Sequence, residues 1–226
     1  KAVAALVDEI GRMRIRIGHC PDCGYTGYID RPTEEWINRF YSNVWDFAGR
    51  RGAGEDRPPI GPRGVKKGER TASFLLKYAI AKDRFVCEIG CEYGGVLKQI
   101  YDSGFKNVLG VENSSHRVEV ARRVYGFDIL EGVFEKDALL GALQKRAPYG
   151  MIYSHHVLEH TYNPGAVIRR ASSLQDEGGI LVLSLPNASA EPSFTKLLFL
   201  PHLHSFTKIS LKKLLNLSSY EIVEDN

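Results

Sequence analysis

The chain has no apolar run near the roughly 20 residues that a membrane-spanning helix needs. It also lacks a basic leader followed by an apolar block and a cleavage site. Neither sign of charge dominates: 30 basic against 27 acidic residues leave a net +3. No basic stripe is interleaved with aromatics, which argues against a nucleic-acid partner. Cysteine is scarce. The four present are Cys20, Cys23, Cys87 and Cys91, too few for a disulfide scaffold and placed as expected of a reducing, cytoplasmic compartment. What remains is ample for a core, at 43% hydrophobic residues in 226, and implies one α/β domain with a small appendage.

One further absence is a single glycine. Residues 85–89 (FVCEI) read as a buried strand ending on an acid, and Gly90, Gly94 and Gly95 then allow a sharp turn into a helix. A strand, a glycine turn and a helix N-terminus build a nucleotide-type site at the carboxyl end of a parallel sheet. The dinucleotide fingerprint G-x-G-x-x-G would put its middle glycine at 92, where this chain has Glu92. A carboxylate about 4 Å from a pyrophosphate costs roughly 4 kcal/mol at a partly shielded site. With Glu88 close by, the turn suits a cationic, phosphate-free adenosyl compound better than NAD.

The run Glu88-x-Gly90-x-Glu92-x-Gly94 resembles motif I of the class I S-adenosylmethionine-dependent methyltransferases, (D/E)-x-G-x-G-x-G, with Glu92 for the middle glycine. The second strand, 108–112, again ends on an acid. Glu112 follows Gly90 by roughly 20 residues, where a carboxylate can accept hydrogen bonds from ribose hydroxyls. Further on, VLEHTYNPGAVIRRASSLQDEGGILVLSLPN is close to the family's phrase in order and spacing. The resemblance implies a Rossmann-like sheet with helices on both faces and a small N-terminal cap, divided as 1–69 (cap and linker) and 70–226 (cofactor domain). It implies that Glu88, Gly90, Cys91, Glu92 and Gly94 hold S-adenosylmethionine, together with Glu112, Asn113, Val133, Phe134, Ser154 and His155.

Periodicity places helices at 71–81, 94–103, 114–125, 137–145, 166–174 and from Thr207 to 217, and strands at 127–130, 150–154, 180–187 and 220–223. Upstream, residues 1–17 read as a helix face running into a strand. The stretch 33–45 reads as a helix capped by Thr33, with Trp36, Phe40 and Tyr41 on a packing face. The Gly-, Pro- and charge-rich stretch 49–69 reads as a loop or linker. His19-Cys20-Pro21-Asp22-Cys23-Gly24 resembles half of a zinc knuckle. A second cysteine pair 15–20 residues on is missing, so Cys20 and Cys23 stand as metal ligands or as a degenerate knuckle.

Five of the seven histidines lie between 155 and 204. His156 and His160 flank Glu159 in H-x-x-E-H, the pattern of inverzincin proteases. Those require a sustained helix, whereas here a strand precedes the motif and Asn163-Pro164 closes it within a turn. In the methyltransferase resemblance this loop faces the acceptor. His155, His156 and His160 are then candidate catalytic groups, because an imidazole with an ordinary pKa near 6.5 can take a proton at neutral pH. Two related sub-families bind a divalent metal at this place, which makes His156, Glu159, His160 and His204 a candidate ligand set. A hydrogen-bonded structural cluster is the third reading. The function expected is methyl transfer to a small-molecule acceptor, an oxygen of a sugar or secondary metabolite. The alternatives are a metal-assisted RNA 2′-O-methyltransferase and a degenerate domain that binds S-adenosylmethionine without catalysis.

Overall fold

Five short strands, each separated from the next by a helix, make one parallel sheet. The computed structural model describes residues 16–41, 62–78, 80–190, 202–218 and 220–224. In chain order the elements are β1 (Ile17–His19), β2 (Thr26–Tyr28), α1 (Glu34–Phe40), α2 (Pro62–Leu75), β3 (Phe85–Ile89), α3 (Gly95–Asp102), β4 (Val108–Glu112) and α4 (Ser115–Tyr125). There follow β5 (Asp128–Glu131), α5 (Asp137–Gln144), β6 (Tyr149–His155), a 3-10 turn (Leu158–His160), α6 (Pro164–Ser173), β7 (Ile180–Ser184), β8 (His204–Ser205) and α7 (Lys208–Leu215). The large sheet has the order β5-β4-β3-β6-β7, the Rossmann-like arrangement that the family resemblance implied.

The register explains where a ligand site can form. Ile89 pairs with Val111 of β4 and with Ser154 of β6, so the carboxyl ends of three adjacent strands are level. The chain leaves β3 toward β4 and β5, then crosses back to β6, which makes the tip of β3 the switch point of the sheet. Right-handed crossovers set α3 and α4 on one face and α5 on the other. Leu97, Ile100, Val118 and Ala121 from α3 and α4 share one buried cluster with Val86, Ile129 and Met151. Burying each of the valine, leucine, isoleucine and methionine side chains contributes about 1.5–3 kcal/mol.

By compactness the chain forms two units, one of Asp46–His155 with Ser173–Leu183, the other of Lys1–Trp45, His156–Ser172 and Ser184–Asn226. The two units are interleaved along the chain. The second unit holds a small antiparallel sheet, β1-β2-β8, in which Gly27 pairs with His204. Around it Tyr28, Trp36, Ile37, Phe40 and Leu203 are buried together. The aromatic face of α1 is therefore packing, and Thr33 caps that helix by accepting from Trp36 N–H, as expected.

Three expectations need correction. The loop read over 49–69 gives way to α2 from Pro62 onward. Proline suits the first helical turn because its missing N–H would be unpaired there anyway, and Gly68 is buried within the helix beside α3. A Cβ on Gly68 would sit 3.4 Å from the Gly95 carbonyl oxygen. The helix expected at 71–81 ends at Leu75. The strand expected at 220–223 is irregular, with Val223 exposed, since a β-prone run without a ladder partner gains nothing from extension. The segments 1–15 and 42–61 lie outside the described residues, and with them most of the reading of 1–17, the end of the helix expected over 33–45 and the first part of the loop expected over 49–69.

Candidate functional site

The glycine turn after β3 is fastened at both ends. Gly90 N–H and Cys91 N–H both donate to the Val111 carbonyl, at 2.8 and 3.2 Å, and Gly94 N–H donates to Cys91 O at 2.8 Å. Gly90 and Gly94 have φ of 72° and 78°, a left-handed conformation that costs glycine nothing. Glu92 shares it at φ 49°, so it keeps the backbone shape of the glycine it replaces. Its N–H donates to Glu112 Oε2 at 3.0 Å. Its carboxylate, 69% exposed, stands 3.8 Å from Arg117 Nη1. That pairing was not legible in the spacing, and it reduces the negative charge that Glu92 was expected to bring to the turn.

Glu88 and Glu112 remain the two acids of the strand tips. Glu112 accepts a second bond, from Ser114 N–H at 2.9 Å, and burial raises its carboxyl above the usual range despite Arg117 and these amides. Glu88 is buried, and its Oε2 has no hydrogen-bond partner among the described residues. Burial drives its carboxyl well above the ordinary range, with Tyr153 and the Leu97 backbone pulling the other way and Glu92 and Glu112 adding to the rise. Tyr153 stands opposite Glu88 in the β3–β6 register. Sequence reasoning missed it, because the pairing of strands far apart in the chain carries no local signal. A buried acid with a spare oxygen at the tip of β3 is a natural partner for a cation, whose charge favours the ionised carboxylate.

The other expected cofactor residues collect around the same strand ends. Gly132 N–H donates to Glu112 O at 2.9 Å, which brings the start of the 132–134 loop to the end of β4. Val133 is half-buried and Phe134 fully buried, and Asn113 follows Glu112 directly. Ser154 is buried beside Ile89, and His155 closes β6 half-buried. Cys91 is buried against β4, where a Cβ on Gly110 would come within 2.5 Å of its Sγ. Burial pushes the thiols of Cys91 and Cys87 up, and all four cysteines are free.

The histidines of the second unit separate into distinct groups. His156, also at positive φ (56°), bonds through Nδ1 to Glu159 Oε1 at 3.1 Å and is 45% exposed. Positive φ in a non-glycine residue costs of order 1–3 kcal/mol and persists where surrounding contacts over-determine it. Glu159 is buried. Burial would raise its carboxyl, but the His156 bond and the nearby His160 outweigh that and hold it below the usual value. His160 Nε2 lies 4.0 Å from Glu159 Oε1, and its ring meets that of His202 at 4.5 Å between centroids.

His204 does not join them. Its Nε2 donates to the Thr161 carbonyl at 3.1 Å and its Nδ1 accepts from Tyr25 Oη at 2.6 Å. Burial, helped by Arg31, brings its imidazole down to about 4, so it is a neutral strut. Of the expected set, Glu159 and His160 come together with His202, each offering one donor atom within 4.8 Å of the others, while both ring nitrogens of His204 are engaged elsewhere. Cys20 and Cys23 lie in the turn between β1 and β2, closed by Cys20 N–H to Tyr25 O at 2.8 Å. Among the described residues no third metal-ligating side chain joins them.

The sequence pattern of the family described as a methyltransferase domain matches residues 66–225. The chain belongs to that family, and its fold and recognition motifs are those of the class I S-adenosylmethionine-dependent methyltransferases. Among solved structures it is similar to magnesium protoporphyrin IX methyltransferase from Synechocystis PCC 6803 with bound S-adenosylmethionine: 16% identity over 87% of this chain and 90% of that one, TM-score 0.59. It is also similar to an S-adenosylmethionine-dependent methyltransferase from Archaeoglobus fulgidus, at 20% identity over 72% of each chain and TM-score 0.57. A third neighbour is the (4+2)-cyclase SpnF, at 14% identity over 87% of this chain and 76% of that one, TM-score 0.63. The chain spans 56% and 60% of the length of two further structures, an amino pentose methyltransferase from Micromonospora echinaspora and DesVI from Streptomyces venezuelae. No curated protein matches it.

Proposed function

We propose that this chain methylates an oxygen of a small-molecule acceptor, a sugar or a hydroxylated secondary metabolite, with S-adenosylmethionine as donor. The observation that carries the acceptor reading is the His156–Glu159 pair. A buried carboxylate holds one ring nitrogen, and the imidazole it steadies is half open to solvent. That arrangement suits a base which must present a fixed lone pair to a hydroxyl. His155 and His160, on either side, are the other candidates for orienting an acceptor.

The tip of β3 fits the cofactor. Glu88 supplies a spare buried oxygen for a cationic group, Gly90 and Gly94 let the backbone come close, and Glu112 keeps lone pairs for hydroxyl donors. When bound, the cofactor supplies a methyl group on a sulfonium, which departs as a neutral thioether. The chain's own task is alignment and removal of the acceptor's proton, which we assign to His156 Nε2 with Nδ1–H donating to Glu159.

The test is twofold. Calorimetry with S-adenosylhomocysteine should show binding; its absence would favour a domain that has lost its cofactor site. Turnover with radiolabelled S-adenosylmethionine across a panel of sugars and hydroxylated metabolites should identify an acceptor. With that acceptor, His156→Gln should slow turnover about 100-fold or more, the range for loss of a general base, with cofactor affinity kept. Full activity in that variant would remove His156 from the reaction. Binding to RNA that falls steeply with salt would overturn the small-molecule reading.

A further inference from the structure

We propose that Cys20 and Cys23 form a reversible dithiol–disulfide couple, oxidised by a low-molecular-weight disulfide of the glutathione kind. Both thiols are free and half-buried, and Pro21 and Asp22 between them are exposed. The turn that carries the pair is closed twice. Gly24 N–H donates to the Cys20 carbonyl and Cys20 N–H to the Tyr25 carbonyl, each at 2.8 Å. On a single helical turn, residues three apart stand about 5–6 Å from each other at Cβ, against about 3.5–4.5 Å in a disulfide. A small tightening of the turn closes the bond.

The fold also holds this turn from outside. Thr207 Oγ1 donates to the Cys23 carbonyl and accepts from Ser210 N–H at 3.0 Å, which ties the turn to the cap of α7. Gly24, at φ 69°, permits that approach: a Cβ there would come within 2.8 Å of Thr207 Cγ2. The two thiols are therefore kept near each other by bonds on both sides, the condition under which ring closure outruns attack by a second outside molecule. Among the described residues no third metal-ligating side chain joins them, and two thiolates are half of what a structural zinc takes.

Cys20 is the attacking group. Hydrogen bonds from the Cys23 side chain, and then from the Cys23 and Asp22 backbone, hold its thiol below the ordinary range, and the thiolate is the nucleophile. It attacks one sulfur of the small disulfide, whose S–S bond breaks as one thiolate leaves. Cys23, its proton lost, attacks Cys20 Sγ, and the second small thiolate leaves as the Cys20–Cys23 bond forms. The two protein thiols give up two electrons, the small disulfide becomes two thiols, and both protons end on those. Cys87 and Cys91 are buried with their thiols pushed up and stay out of the exchange. The couple is independent of methyl transfer, since it is read directly on the thiols.

The experiment incubates the reduced full chain with mixtures of reduced and oxidised glutathione at pH 7, quenches in acid, alkylates and maps the cysteines by mass spectrometry. Loss of two alkylatable thiols as a Cys20–Cys23 disulfide is expected, reversed by dithiothreitol, with Cys87 and Cys91 still reduced. Cys23→Ala, checked by circular dichroism, should instead trap glutathione on Cys20, at least threefold faster than Cys20→Ala traps it on Cys23. Both thiols still alkylating at every glutathione ratio would overturn the proposal. So would glutathione resting on both cysteines of the native chain with no bond between them, or stoichiometric zinc in the purified chain that is absent from Cys23→Ala. Trapping no faster on Cys20 than on Cys23 would overturn the order of attack.

Discussion

At the scale of single residues, the two acids at the strand tips behave differently from two fixed charges. Glu88 is buried with a spare oxygen, and its carboxyl is raised well above normal. An acid that binds its proton more tightly when folded gives full stability below its unfolded pKa, near 4.3. That stability is lost as pH rises from there through the folded value. Glu88→Gln should therefore make the cofactor-free protein more stable than wild type at neutral pH, with the gap closing toward pH 4, as read by urea unfolding at both. The reverse order at neutral pH would show that the ionised form is the favoured one. The same variant should bind S-adenosylmethionine less tightly, because it removes the charge that a sulfonium or ammonium would meet. Glu92 teaches a related lesson. A residue that breaks the family motif on paper preserves its left-handed turn, and Arg117 takes up part of its charge.

Elements follow their local signals where those signals are local. Ser114 and Thr207 cap α4 and α7 through side-chain oxygens, and β3 and β4 begin and end where their apolar runs do. α2 departs from its local signal, with Gly68 buried inside it. Glycine in isolation suggests a linker, whereas here Gly68 lies inside a helix, where a Cβ would stand 3.4 Å from the Gly95 carbonyl oxygen. Gly110 shows the same principle inside a strand. A methyl group there would meet Cys91 Sγ and Ile129 Cδ1, each at 2.5 Å, so that one of them must shift. Gly110→Ala should cost about 1–3 kcal/mol, as overpacking does, and displace the turn that carries Cys91. A thermal melt lowered by several degrees together with weaker S-adenosylhomocysteine binding would bear this out; an unchanged melt would show that the strand can shift.

On the scale of the whole molecule, the unit that holds the histidines is assembled from three separated stretches of chain. Leu203 is its hinge pin in sequence terms. It is fully buried among Tyr28, Trp36, Ile37 and Phe40, while its N–H holds the 3-10 turn. Leu203→Ala should destabilise that unit by about 2–5 kcal/mol, the usual range for a buried leucine. Hydrogen exchange should then accelerate in residues 26–40 and 203–215 while β3 and β4 stay protected. Uniform acceleration through both units would mean that they unfold as one.

By itself the sequence determined the strands and helices from β3 to β7, the glycine turn, the acids at the tips of β3 and β4, and the family. Each of these rests on neighbours within a few residues or on a fixed motif spacing. Only the tertiary structure decided which side chains meet. Tyr153 faces Glu88 through strand register, Arg117 meets the Glu92 carboxylate, β8 joins the N-terminal hairpin, and His202 comes together with Glu159 and His160. Such contacts join residues tens or hundreds of positions apart. Their partners are selected by packing and pairing in space, which no local pattern along the chain encodes.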